Sequence, residues 1–189
     1  MNLPLLFRLK GKSALVVGLG KTGKRRAEAL SAYGCKVIGV DPNARDLPKD
    51  IEYVATSYQP SLLEGMTIVI AATNDAKVNR SILADCNARG ILCNVVDAPE
   101  QSDFIFPSVI RRGDLSIAVC TEGASPFLTK TIKQELEALY DESYAERTEL
   151  LKKLRASALR NMTSEEKRIY LKKISSASIE TLREEVERL

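Results

Sequence analysis

The stretch from Ser13 to Asp41 constrains this chain more than any other part of it. It reads SALVVGLGKTGKRRAEALSAYGCKVIGVD. A short apolar run, Ala14 to Val17, meets Gly18-Leu19-Gly20-Lys21-Thr22-Gly23 at once. A helical pattern with Ala27, Leu30 and Ala32 follows, then a β-rich run from Lys36 to Val40 that ends at Asp41, 23 residues past Gly18. Strand, glycine turn, helix, strand and acid in this order and spacing predict a dinucleotide-binding βαβ unit. Gly18 permits a tight turn off the strand. Gly20 lets a diphosphate approach the backbone N–H groups at the helix start, and Gly23 lets helix and strand lie close. A turn alone needs no bare residue at position 20. Asp41 can accept hydrogen bonds from an adenosine ribose and would repel a 2′-phosphate, which favours NAD over NADP. Leu19, Lys21 and Thr22 complete the loop expected around the cofactor.

The 189 residues suffice for one domain with an appendage or for two small domains. Histidine is absent, which removes imidazole proton transfer and the commonest metal ligand. Cys35, Cys86, Cys93 and Cys120 lie in or beside apolar segments with no CxxC spacing, so buried thiols of a cytoplasmic protein are expected, without disulfides or a stored metal. No apolar stretch approaches the length of a membrane span, and the start, MNLPLLFRLKGK, lacks a cleavage pattern. The net charge of +3 is unevenly spread: residues 1–40 hold eight Lys or Arg against Glu28 alone. No nucleic-acid module accompanies this excess, so a small polyanion beside the dinucleotide explains it better than nucleic acid does.

The rest of the chain continues the α/β pattern. Residues 3–9, LPLLFRL, read as an apolar segment packing on a sheet edge. Strands are expected at Ile51–Val54, Thr67–Ala72 and Ile91–Val96, with a helix over Ala76–Arg89 capped by Asn74 or Asp75. Strand ends then carry the glycine loop, Asp41, Thr73-Asn74-Asp75 and Asp97, on the side of a parallel sheet where ligands bind. After Pro99, Val109-Ile110 and Leu115–Cys120 flank a Gly113-Asp114 turn, so antiparallel character enters. Ser125-Pro126 starts a long helix expected to reach Leu159. Thr163 and Glu166 form a capping box for the next helix. The expected fold is α/β, a Rossmann-like mostly parallel sheet with a mixed-sheet extension and a C-terminal helical region. Its expected parts are 1–113, a linking or dimerisation segment 114–140, and helices 141–189.

Five consecutive pieces carry a family resemblance: LPLLFRL, VVGLGKTGKRRAEAL, AATNDAKVN, CNVVDAPEQSDFIFPSVIRRGDLSIAV and TEGASPFLTKTIKQELE. Together they resemble the precorrin-2 dehydrogenase family, including the dehydrogenase–ferrochelatase part of sirohaem synthase. The match runs through residues 1–140 and more diffusely beyond. NVVDAP followed by FIFPS is more specific than the glycine loop. The common family loop ends in alanine where this chain has Gly23.

The resemblance implies NAD-dependent oxidation of precorrin-2, a reduced polycarboxylate tetrapyrrole, to sirohydrochlorin. The family's key aspartate falls on Asp97, as a base or as a holder of the macrocycle through its pyrrole N–H groups. A strong base is not required, because the proton leaves after an electron-poor intermediate forms. By the same resemblance Thr73, Asn74, Asn94 and Val95 approach the cofactor. Asn79 approaches the substrate pocket. Arg25, Arg26, Arg111, Arg112 and Lys130 are candidate partners of substrate carboxylates. Ser125 matches a family serine whose role is substrate contact or entry control, although helix capping alone also explains it.

Three functional readings are carried forward. The first is the dehydrogenase. The second adds insertion of Fe²⁺, as a substrate, into sirohydrochlorin, with Asp97 as a transient metal contact and no stable metal site. The third is a non-enzymatic NAD-binding sensor. A methyltransferase domain has no room in 189 residues, so the chain is not expected to make precorrin-2 itself. A homodimer is expected, with no nucleic-acid or membrane partner.

Overall fold

A computed structural model describes residues 2–189. Two compact units emerge, one ending at Phe106 and the other spanning Pro107–Leu189. The first is built on five parallel strands: β1 (Ser13–Val17), β2 (Lys36–Val40), β3 (Glu52–Val54), β4 (Ile68–Ala71) and β5 (Leu92–Val95). Their order is β3-β2-β1-β4-β5. Strand order therefore reverses between β1 and β4, which marks the carboxyl end of that pair as the ligand crevice of an open α/β sheet.

Every residue of Ala14–Val17 and of β4 is buried, as continuous apolar strands covered on both faces require. Their side chains alternate between two cores. Leu15, Val17, Val69 and Ala71 share one with Val40, Cys93 and Val95. On that face lie Ile82 and Cys86 of helix α2 (Ala76–Asn87). Ala14, Val16, Ile68 and Ile70 share the other face with Ala27 and Leu30 of helix α1 (Lys21–Ala32). Each such Val, Leu or Ile contributes about 1.5–3 kcal/mol by leaving water. The sheet and both flanking helices are thus fixed by a two-residue alternation and two helical stripes.

The outer edge of β5 is closed without a sixth strand. Asp103 Oδ2 accepts from Cys93 N–H at 2.8 Å, and Ser102 Oγ accepts from Val95 N–H at 2.8 Å. Cys93 carbonyl accepts from Asp103 N–H at 2.9 Å. This pairing covers an edge that would otherwise be open, and it fixes the loop carrying Asp97 at its far end.

In the second unit, β6 (Ser108–Arg112) and β7 (Leu115–Val119) pair antiparallel across Gly113-Asp114 and form their own two-stranded sheet. β6 packs on the following helices, so the units divide at 106/107 and not at 113/114. The expected single long helix is two: α3 (Pro126–Leu139) and α4 (Ser143–Asn161). Asp141 breaks it, its Oδ1 accepting from Ser143 N–H at 3.0 Å in a local turn that competes with helix continuation. Helices α5 (Ser164–Ser175) and α6 (Ile179–Glu187) follow. Thr163 and Glu166 form the predicted capping box. Leu150, Leu154, Ile174 and Leu182 give α4, α5 and α6 a core of their own.

Two expectations fail at the surface. Leu3, Leu5, Leu6 and Phe7 do not pack on the sheet edge but stay exposed, Leu6 at 90%, and only Leu9 of that segment joins the core. Cys120 is exposed, whereas the other three thiols are buried. It lies one residue past β7, beside a two-stranded sheet that cannot cover both of its faces. Among the described residues no helix is long and apolar enough to cross a membrane.

Candidate active site

Gly18 leaves β1 with φ of +90°, and a Cβ there would lie 2.5 Å from the Ala72 carbonyl oxygen. A Cβ on Gly23 would lie 1.8 Å from the Gly18 carbonyl oxygen. Only glycine lets this turn, the start of α1 and the end of β4 close on one another. Gly20 differs: nothing lies within 4 Å of a Cβ built on it. The folded chain makes no demand for glycine there, so the open space fits a ligand's approach. Gly20 is the N-cap of α1, and no side chain caps that helix. The first-turn N–H groups are therefore available to an anion at the positive end of the helix.

Asp41 stands at the end of β2 and fastens the same loop. Its Oδ2 accepts from Leu19 N–H at 2.8 Å and its Oδ1 from Asn43 N–H at 2.8 Å. Each carboxylate oxygen keeps a further acceptor position for a ribose hydroxyl. Leu19 itself is a core residue: its side chain is buried against Gly39, and its N–H is taken. Among the described residues Lys21 and Arg25 are exposed and make no ion pair, while Lys24 Nζ donates to the Arg45 carbonyl. Among the described residues, the loop, the uncapped helix start and Asp41 fit a dinucleotide.

The end of β4 leads to the second half of the site. Asp75 caps α2 by accepting from Lys77 N–H at 2.7 Å, and Asn74 is exposed beside it. One turn into α2, Asn79 is 1% exposed. Its Oδ1 accepts from Thr73 N–H at 3.1 Å and Thr73 Oγ1 at 2.7 Å, and its Nδ2 donates to the Thr73 carbonyl at 3.1 Å. The same Nδ2 donates to Asp97 Oδ1 at 2.8 Å. Asp97 is exposed in the turn after β5 and lines an open cleft of about 220 Å³ with Ala76, Asn79, Arg80, Val95 and Glu100.

Several candidates change character here. Asn79 is buried with its amide fully engaged at the floor of this cleft. Asn94 is 5% exposed and donates to the Phe104 carbonyl at 2.8 Å. Arg26 stacks its guanidinium 4.0 Å from the Phe106 ring centre. Burial, then the neighbouring Arg25 charge, push its pKa down. Its hydrophobic stem and stacked head make it part of the core's lid. Arg80 belongs to no motif, yet it is exposed in the Asp97 cleft and makes no ion pair among the described residues. A single arginine on a helix has no sequence signature that separates it from a solvated surface residue.

The remaining candidates belong to the second unit. Arg112 Nε lies 3.2 Å from Glu142 Oε1, and Arg112 Nη1 donates to the Arg111 carbonyl, so it braces β6 to the start of α4. Ser125 Oγ accepts from Leu128 N–H at 3.1 Å as the cap of α3. Lys130 is exposed on α3, and Arg111 Nε donates to the Gly113 carbonyl.

Comparison with known proteins adds a second line of observation. Residues 5–108 match the family described as "Putative NAD(P)-binding", and residues 112–139 match "Sirohaem biosynthesis protein central". Siroheme synthase of Chromobacterium violaceum is 40% identical over 147 residues, covering 75% of this chain and 31% of that protein. Siroheme synthase of Methylobacillus flagellatus is 35% identical over 176 residues, covering 89% of this chain and 38% of that protein. The chain thus spans about a third of the length of these relatives. A solved structure titled "SirC, precorrin-2 dehydrogenase" superposes with a TM-score of 0.80 at 28% identity, covering 99% of this chain and 98% of that one.

Proposed function

We propose that this chain, which belongs to the NAD(P)-binding family matched over residues 5–108, is an NAD-dependent dehydrogenase that oxidises precorrin-2 to sirohydrochlorin. One observation carries the reading. The glycine turn and Asp97 stand at the carboxyl ends of one parallel sheet, joined through Thr73 and Asn79. The likeness to a precorrin-2 dehydrogenase along nearly the whole chain supports the choice of substrate.

Bound NAD supplies the acceptor for the hydride that leaves the macrocycle. The first turn of α1 holds the diphosphate, and Asp41 holds the adenosine ribose and disfavours a 2′-phosphate. Asp97 presents Oδ2 to the cleft while Oδ1 is held by Asn79. It binds a pyrrole N–H of the substrate or receives the proton released as conjugation extends, and passes it to solvent. Substrate minus one hydride and one proton gives the product. Arg80 receives a substrate carboxylate beside Asp97, and Arg25 is a further partner for the polyanion. Ser125 is held to its capping role. The protein acts in the cytoplasm as a homodimer, to which the exposed apolar Leu3, Leu5, Leu6, Phe127 and Leu128 offer contact area.

Anaerobic incubation with precorrin-2 and NAD tests the reading through NADH absorbance and the macrocycle spectrum. Turnover that Asp97→Ala abolishes while NAD still binds is the expected result. NAD binding with no turnover of precorrin-2 would return the chain to the sensor reading. Adding Fe²⁺ afterwards reads metal insertion as a separate spectral change. Light scattering of the eluted protein measures the dimer.

A further inference from the structure

We infer that Asn79 is a positioning residue that sets where the Asp97 carboxylate stands relative to the nucleotide turn. The inference rests on the reading of Asp97 given above. Asp97 lies on an exposed turn, where a carboxylate would ordinarily sample several rotamers. Asn79 removes that freedom from below. Its Nδ2 holds Asp97 Oδ1 at 2.8 Å, and among the described residues no hydrogen bond occupies Asp97 Oδ2. Asn79 thereby decides which carboxylate oxygen faces the cleft.

The anchor itself is fixed. Asn79 is 1% exposed, and the other three hydrogen bonds of its side chain all go to Thr73, at 3.1, 2.7 and 3.1 Å. A buried amide with its donors and acceptor satisfied is costly to rotate, because any other setting strands polar atoms away from water. Thr73 is in turn held against the glycine turn: its nitrogen lies 2.7 Å from where a Gly18 Cβ would be. The path from Gly18 to Asp97 therefore runs through one residue pair, Thr73 and Asn79, with no flexible link between. Hydride transfer depends on the separation of substrate and cofactor, so a group tied to both sides can set it.

Two substitutions separate this role from general support of the fold. Asn79→Asp keeps an acceptor for Thr73 and replaces the donor facing Asp97 by an oxygen. Asn79→Ser is uncharged and too short to reach Asp97. In each, kcat for precorrin-2 oxidation is expected to fall about tenfold or more, with KM and NAD affinity within about threefold of the parent. A role confined to stability would lower the unfolding midpoint and leave kcat of the folded fraction unchanged. A folded variant with kcat within about twofold of the parent overturns the inference.

Crystal structures of the two variants give a readout that does not depend on turnover. The expected result is an Asp97 carboxylate that leaves its Asn79-bonded position or occupies more than one rotamer. An unmoved carboxylate overturns the inference even if the parent proves inactive. Inactivity of the parent toward precorrin-2, with Asp97 displaced in the variants, instead removes the proposed reaction and leaves the positioning role standing.

Discussion

Asp41 Oδ2 accepts a hydrogen bond from Leu19 N–H at 2.8 Å, so the acid that ends β2 also holds the glycine turn that leaves β1. The residue has two jobs that substitutions can separate. In Asp41→Ala the Leu19 N–H, in a residue 2% exposed, loses its acceptor. The expected cost is about 1–3 kcal/mol of stability, read by urea denaturation. NAD affinity should fall about tenfold by calorimetry, the size of one lost charge-assisted hydrogen bond. Asp41→Asn keeps an acceptor oxygen, so it should retain most of the stability while losing preference for NAD over NADP. Unchanged discrimination in Asp41→Asn would show that the preference arises elsewhere.

Gly20 and Gly23 make a matched pair. A methyl at position 20 meets nothing, whereas one at position 23 lies 1.8 Å from the Gly18 carbonyl oxygen. Gly20→Ala is therefore expected to unfold within about 0.5 kcal/mol of the parent yet bind NAD at least about tenfold more weakly. Gly23→Ala is expected to lose about 1–3 kcal/mol, because the turn must open to admit the methyl. The common family loop has alanine at this position, so this chain closes its turn more tightly than an alanine would allow. Equal stability of the two variants would contradict the packing described at the turn.

The glycine turn and the parallel strands were legible because each rests on local pattern: apolar runs of strand length and bare residues at fixed spacing. Residues whose role depends on what lies across the fold were not. Asn79 reads as one polar residue in a helix, and only burial beside Thr73 and Asp97 reveals an amide with every bond used. The buried setting of Asn94 in β5, with Asp97 emerging in the following turn, is likewise set by what packs across the strand. The break at Tyr140–Glu142 was hidden because its signal, one Asp two residues before a Ser, is common on helix surfaces. Ser102 and Asp103 cover the edge of β5 by side-chain bonds that no periodicity encodes.

Arg80 offers a test of how the substrate is read. It shares the cleft with Asp97 and has no carboxylate partner among the described residues. Arg80→Ala is expected to raise KM for precorrin-2 about fivefold, the scale of one solvent-exposed ion pair. The change in kcat and in NAD affinity should be small, and added salt should narrow the difference between variant and parent. An unaltered KM at low salt would reduce Arg80 to a solvated surface residue.

The helical unit should respond to acid through its ion pairs. Arg183 meets Glu146 with two bonds, of 2.6 and 2.7 Å, joining α6 to α4. The Arg183 hydrogen bonds hold the Glu146 carboxyl below the usual carboxylate range. Lys152 does the same for Asp114, at 2.8 Å, and Thr163 for Glu166. A carboxyl with a lowered folded pKa gives stability that is present above its unfolded value and lost as pH falls through the folded one. The raised Lys152 and Arg183 act oppositely: their share is present below their unfolded values and lost only in strong alkali. Stability of α4–α6 is therefore expected to be level near neutrality and to decline below about pH 4.5. In the intact chain this can be followed by the methyl signals of Leu154 and Leu182. Glu146→Gln should flatten part of the acid decline and lower stability at neutral pH. These groups lie at the surface, so high salt should shrink both effects. An acid profile identical in Glu146→Gln and the parent would show that the Glu146–Arg183 bridge does not couple protonation to the packing of these helices.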